Sequence, residues 1–166
     1  FNNYFEYMGF DLNALISFVY GNEIYNGAGI YQSANAAWFD NQTVDQMNRW
    51  QKPGDITDVP QARLNENNGV KTTSRYLYDG SYIRIRSINF GYSLPESLTS
   101  RIKMSSVRLY AGVQNLYTFT NYKGWDPEVN YTGVDRSTQN TNIIQGYDFY
   151  TAPQARTYTL GINMTF

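Results

Sequence analysis

The last ten residues alternate without a break. Tyr158, Leu160, Ile162, Met164 and Phe166 share one parity, and Thr157, Thr159, Gly161, Asn163 and Thr165 share the other. A strand displays successive side chains on opposite faces, so this segment folds as a strand with one oily and one polar face. Phe10 to Gly21 repeats the pattern. Phe10, Leu12, Ala14, Ile16, Phe18 and Tyr20 oppose Asp11, Asn13, Leu15, Ser17, Val19 and Gly21. In Tyr82 to Tyr92 the apolar set Ile88, Phe90, Tyr92 opposes Ser87, Asn89, Gly91, and the alternation blurs toward Arg84 and Arg86. In Ser106 to Thr120, Val107, Leu109, Ala111 and Val113 oppose Arg108, Tyr110, Gly112 and Gln114. A short strand ending near Glu6, closed by Tyr7-Met8-Gly9 as a tight turn, pairs with the strand that starts at Phe10. The expected fold is all-β, with about five antiparallel up-and-down strands.

The connections differ in length in an ordered way. Short links fall at residues 7 to 9 and at Ser93 to Met104, where Pro95 breaks the ladder. Long links fall at about 22–81 and 121–155. Alternate connections of an up-and-down sheet emerge on the same side, so the long ones share a side. Membrane barrels are built this way, with short periplasmic turns and long extracellular loops. Aromatic spacing points the same way. Phe10 and Tyr20 are ten residues apart and Tyr158 and Phe166 eight, spans that rise roughly 20 to 25 Å on tilted strands, near the height of a barrel's apolar band. A soluble β-sandwich that binds carbohydrate also alternates, with its apolar parity packed inside. Alternation alone leaves both open; girdle spacing and loop asymmetry favour the barrel.

Composition removes several kinds of chemistry. With no Cys and no His, the chain lacks thiolate nucleophiles, Cys/His zinc sites and imidazole bases, and neither a metal nor another cofactor is expected. Charged residues make up 16% against 17% aromatic, so the surface is polar without being strongly ionic. A net charge of −1 gives no general attraction to nucleic acid. No apolar run approaches the length of a transmembrane helix, a test that strands escape. The chain opens at Phe1 with neither Met nor a basic-then-apolar leader, which reads as a start inside a longer protein.

Several runs resemble the SusC/RagA family of TonB-dependent outer membrane transporters. They are Tyr82 through Pro95, Val107 through Glu128 with Gln114-Asn115-Leu116-Tyr117-Thr118-Phe119-Thr120 and Tyr122-Lys123-Gly124-Trp125-Asp126-Pro127-Glu128 at its centre, and Tyr7-Met8-Gly9-Phe10-Asp11-Leu12, with Met8 where the family commonly has Lys. Asn48-Arg49-Trp50 with Thr57-Asp58-Val59-Pro60 resembles an extracellular loop, and Pro153 through Gly161 the closing strand. The resemblance covers nearly all of residues 1–166 and implies the C-terminal strands of a 22-stranded barrel, with the plug and most strands absent. It further implies import of oligosaccharides or peptides with TonB-supplied energy, at the outer membrane of a Gram-negative bacterium. The implied partners are a SusD-like surface lipoprotein, the TonB complex through missing N-terminal regions, the barrel assembly machinery and outer membrane lipid. No enzyme activity is implied.

Candidate residues follow. The row Tyr158, Leu160, Ile162, Met164, Phe166 reads as lipid-facing strand and assembly signal. Trp38, Trp50, Trp125, Tyr122, Tyr131, Tyr147 and Tyr150 lie in the long loops, where flat rings stack on sugars or pack the loops together; Trp50, Trp125, Asp126 and Tyr131 are the ligand-contact candidates. Val44, Met47 and Trp50 suggest a short amphipathic loop helix used for packing. Asp126 and Glu128 offer two carboxylates, a glycosidase requirement, but Pro127 between them favours a turn. Arg101 and Lys103 beside a short turn read as a solvated rim.

Overall fold

A computed structural model describes residues 1–33, 41–64, 66, 68, 71–129 and 145–166. The strands are β1 (Asn2–Tyr7), β2 (Phe10–Val19), β3 (Glu23–Asn26), β4 (Leu77–Asp79), β5 (Tyr82–Ser93), β6 (Ser106–Thr120), β7 (Tyr147–Asp148) and β8 (Thr157–Thr165). Two four-residue helices, α1 (Gly29–Gln32) and α2 (Glu96–Thr99), and three short 3-10 turns complete the elements. The chain divides into two compact units. One comprises Phe1–Gly21, Ser81–Asn121 and Pro153–Phe166, the other Asn22–Gly80 and Tyr122–Ala152.

The first unit is a five-stranded sheet in the order β1-β2-β5-β6-β8, antiparallel throughout. It is open, with β1 and β8 at its two edges. The β1–β2 hairpin closes on Met8 and Gly9, both at positive φ (47° and 83°), the two-residue turn whose twist matches its strands. The chain leaves the sheet after β2 and β6 and re-enters before β5 and β8. The pairings Val19↔Tyr82, Tyr82↔Thr120 and Gln114↔Thr157 set those points at the end opposite the short links.

The blurred alternation around Arg86 has a physical cause. Over one stretch of the apolar row, β2 runs from Ala14 to Ile16, β5 from Ile85 to Ile88, and β6 from Val113 to Tyr117. Each strand in turn uses one residue more than its neighbour, so β-bulges at Arg86 and at Asn115-Leu116 re-phase the side chains. Ile83 and Ile85 thereby share a face with Ile88 and Phe90 despite their opposite parity. Asn115 takes φ +50°, a left-handed conformation that asparagine tolerates. Its amide donates to the Ala155 carbonyl at 3.0 Å, beside the point where β8 pairing begins.

One face of this sheet is polar and closely fitted. The Arg108 guanidinium crosses Gly91 to reach Asp11, with Nε–Oδ1 at 3.0 Å and Nη2–Oδ2 at 2.6 Å, and the Tyr110 ring lies over Gly161. A Cβ at Gly91 would overlap both Arg108 and Asp11. Gly91→Val adds strand propensity worth at most about 1 kcal/mol, whereas overpacking costs about 1–3 kcal/mol and also breaks a bidentate pair. The steric loss wins. The expected result is a lower thermal midpoint for the complete receptor in detergent, and an unchanged or raised midpoint would show that Arg108 does not occupy that space.

The second unit holds a three-stranded sheet, β4-β3-β7, in which β3 and β7 run parallel. Ile24, Tyr122 and Val129 form its buried centre, with Tyr78 packed against them. Tyr25 and Tyr147 stack at 5.8 Å. The expected loop helix is a 3-10 turn, Val44–Asn48, and its apolar residues do not pack against the other loops of this chain. Val44 and Met47 are 84% and 74% exposed, while Gln46 is buried. The turn ends at Arg49 in extended conformation, so Trp50 lies outside it and the inward side carries an amide.

Candidate functional site

Two places are candidates for function, one in each unit. The first is the other face of the five-stranded sheet. Pairing sets Phe5, Leu12, Phe90, Ala111 and Leu160 in one cross-strand row, with Tyr7, Phe10, Tyr92, Leu109 and Ile162 in the next. These rows lie open. Tyr158, Leu160, Ile162, Met164 and Phe166 are 51–85% exposed, and Phe5, Phe10, Phe18, Ile83, Phe90 and Phe119 are all exposed. Aromatic rings gather toward both ends. Phe10 stacks on Tyr92 at 4.3 Å and on Phe90 at 5.7 Å near the short links, and Phe1 stacks on Phe18 at 5.8 Å near the other end.

A soluble sheet would bury such a face under a second layer, because a contiguous exposed apolar surface of this extent is rare in soluble monomers. Oily outside, polar and ionic inside, ringed by aromatics at two heights: these are the features of a transmembrane barrel wall. The sandwich alternative fails on the same exposure. No helix among the described residues is long and apolar enough to cross a membrane.

The second place is a cleft of about 170 Å³ in the other unit, lined by Asn26, Gln32, Thr43, Lys123, Trp125 and Tyr150 among others. Trp125 is 68% exposed and Tyr150 47%. The floor is held by Asp148, whose Oδ2 accepts the Tyr122 hydroxyl at 2.6 Å and whose Oδ1 accepts the Thr151 N–H at 3.2 Å. Burial, then the Asp148 carboxylate beside it, holds the Tyr122 phenol well above its ordinary range. The cleft is smaller than a typical enclosed ligand pocket, so it suits one unit of a larger ligand.

The candidate residues do not converge there. Trp125 lines the cleft. Asp126 is 5% exposed, and its Oδ1 accepts the Glu128 N–H at 2.9 Å across Pro127. Trp50 is half-buried farther along the link that supplies Asn26, Gln32 and Thr43, where its backbone N–H donates to the Val59 carbonyl at 2.9 Å, and it does not line the cleft. Tyr131 and Trp38 lie outside the described residues. Of the cleft's polar members, Asn26, Gln32 and Lys123 escaped sequence reasoning. Only Lys123 left a signal, through its place next to the Gly124-Trp125 run.

Comparison with known proteins agrees with this geometry. No family model matches the chain. A TonB-dependent receptor of Formosa agariphila is 43% identical across all 166 residues, which make up 16% of that protein. A second receptor of the same organism is 30% identical over the whole chain, again 16% of the relative. The TonB-dependent receptor SusC of Bacteroides thetaiotaomicron is 32% identical over 92 residues, 55% of this chain and 8% of SusC. In structure, the RagAB peptide importer in its closed-closed state superposes with TM-score 0.73 at 25% identity, covering 95% of this chain and 16% of that one.

The sheet is therefore a piece of a TonB-dependent receptor barrel, a class of outer membrane proteins. The chain belongs to the SusC/RagA group within it and represents a C-terminal segment, spanning 16% of the length of the two Formosa receptors and 8% of SusC.

Proposed function

We propose that this chain closes the wall of an outer membrane importer of a Gram-negative bacterium, which takes up oligosaccharides or peptides with energy supplied through TonB. The observation that carries this reading is the amphipathic sheet: an exposed apolar face from Phe10 to Phe166 backed by the fitted Arg108–Asp11 face. RagAB, its structural relative, is a peptide importer. Residues of about 22–81 and 121–155 serve as extracellular loops facing ligand and a SusD-like lipoprotein lid. Trp125 contacts ligand from the cleft, and Asp126 shapes the turn that presents it. The row ending at Phe166 is the strand read by the barrel assembly machinery.

Open strand edges in lipid cost several kcal/mol per unsatisfied group, so the segment works only with the remaining strands of its barrel. The complete receptor should fractionate with the outer membrane. Extending the chain beyond Phe166 should sharply lower its insertion, and normal insertion of the extended chain would remove the terminal strand's signalling role. Trp125→Ala should reduce TonB-dependent uptake about tenfold, as loss of one stacking contact does at roughly 1.4 kcal/mol. Undiminished uptake would take Trp125 out of the ligand path.

A further inference from the structure

The link from β5 to β6 is the short connection that carries helix. It runs through Leu94 and Pro95 into α2 (Glu96–Thr99) and a 3-10 turn, Ser100–Ile102, and ends at Lys103 with φ +56°. Its first backbone bond, Leu94 N–H to the Val107 carbonyl at 2.9 Å, ties it to the start of β6. It begins two residues beyond Tyr92, a member of the aromatic cluster at this end of the sheet.

The two sides of the turn differ. Glu96 and Thr99, three apart, line a cleft with Arg108 and Asn163, both on the polar face of the sheet. Thr99 is buried, and its hydroxyl donates to the Glu96 carbonyl at 3.3 Å. Leu98, in α2, and Ile102, in the 3-10 turn that follows, are 47% and 54% exposed and do not line that cleft. Arg101 and Lys103 flank Ile102, both exposed. One side of the turn thus meets the polar face of the sheet, and the residues outside that cleft include two exposed apolar side chains, Leu98 and Ile102, the latter between two cations.

Aromatic belts sit at the membrane–water boundary, and the headgroup layer extends roughly 5–7 Å beyond the hydrocarbon. A segment that starts two residues past the belt enters that layer. We propose that the Leu98–Lys103 turn is an interfacial anchor, with Leu98 and Ile102 dipping between phospholipid headgroups while Arg101 and Lys103 hold their phosphates. The occupant is lipid because the exposed apolar pair lies outside the polar-face cleft, close after the aromatic cluster at Tyr92, and the cations complement anionic headgroups. The anchor rests on the reading of that sheet as membrane wall, and it would fix the depth and tilt of the barrel at this end.

The test uses the complete receptor in nanodiscs of phosphatidylethanolamine with or without phosphatidylglycerol. An environment-sensitive fluorophore is attached to Leu98→Cys, Ile102→Cys or, as the wall control, Ile162→Cys; residues 1–166 hold no other Cys. Nitroxide on the headgroup should quench labels at 98 and 102, and nitroxide on the acyl chain should quench the label at 162. Adding Arg101→Glu and Lys103→Glu should lower headgroup quenching in the phosphatidylglycerol discs, by roughly fivefold in partition for each basic residue lost near an anionic surface. Labels at 98 and 102 that answer only to a water-soluble quencher, beside a lipid-quenched 162, would overturn the anchor and leave the barrel standing. Quenching at 98 that ignores both charge reversal and phosphatidylglycerol would overturn the part given to Arg101 and Lys103. A label at 162 open to water would overturn the membrane wall, and the anchor with it.

Discussion

Ile162→Arg should nearly abolish assembly of the complete receptor, while Thr159→Arg should leave it almost unchanged. The two positions lie three residues apart on β8 and face opposite ways. Ile162 is 57% exposed and stands midway between Tyr158 and Phe166 on the oily side. An Arg on the lipid side near the bilayer midplane costs about 2–4 kcal/mol, against little on the lumenal side. At 1.4 kcal/mol per factor of ten, the ratio of folded to unfolded receptor falls tens- to hundreds-fold in one variant alone. The measurement is the fraction of receptor in outer membranes that migrates as a heat-modifiable barrel. Equal behaviour of the two variants would mean that hydrocarbon does not touch this face.

The second large effect is expected in the other unit. Tyr122→Phe removes the hydroxyl that donates to Asp148 at 2.6 Å in a buried setting. A carboxylate oxygen then stays buried without that donor, a loss of about 1–3 kcal/mol. At neutral pH the segments Asn22–Gly80 and Tyr122–Ala152 should be cleaved faster in limited proteolysis of the complete receptor. The pH dependence has a definite sign. Because burial and the neighbouring carboxylate raise the folded pKa of Tyr122 above its unfolded value near 10, its stabilisation is complete below about pH 10. It is lost as pH climbs from there through the folded value. Phe has no such titration, so the gap between the two proteins should narrow above about pH 10. A gap that is constant with pH would show that the phenol is not buried beside the carboxylate.

Much of the sheet was legible because its signal is local. Phe10–Val19, Tyr82–Ser93, Ser106–Thr120 and Thr157–Thr165 each carry their own alternation, and each strand is found where that alternation runs. The two bulges were not legible. Arg86 and Asn115 interrupt the period in one strand only to keep rows level with the next, a requirement that exists only between strands. The three-stranded sheet left no trace either, since pieces of two to four residues show no period and β3 meets β7 across more than a hundred residues. α2 was hidden behind Pro95, which reads as a break whether or not a helix follows.

The candidate site divides along the same line. Trp125 was visible as a loop aromatic, but its grouping with Asn26, Gln32 and Thr43 needs distant loop segments to meet. Asp126 drew notice as a ligand contact and, with Pro127, as part of a turn, and its carboxylate accepts the Glu128 N–H within that turn. By itself the sequence determined which side chains share a face, because a strand's two-residue period is a property of the backbone. Only the tertiary structure decided which face stays bare, where Arg108 crosses Gly91 to Asp11, and which phenol is buried against Asp148. Those outcomes depend on how strands stack side by side and on what space is left between side chains far apart in the chain.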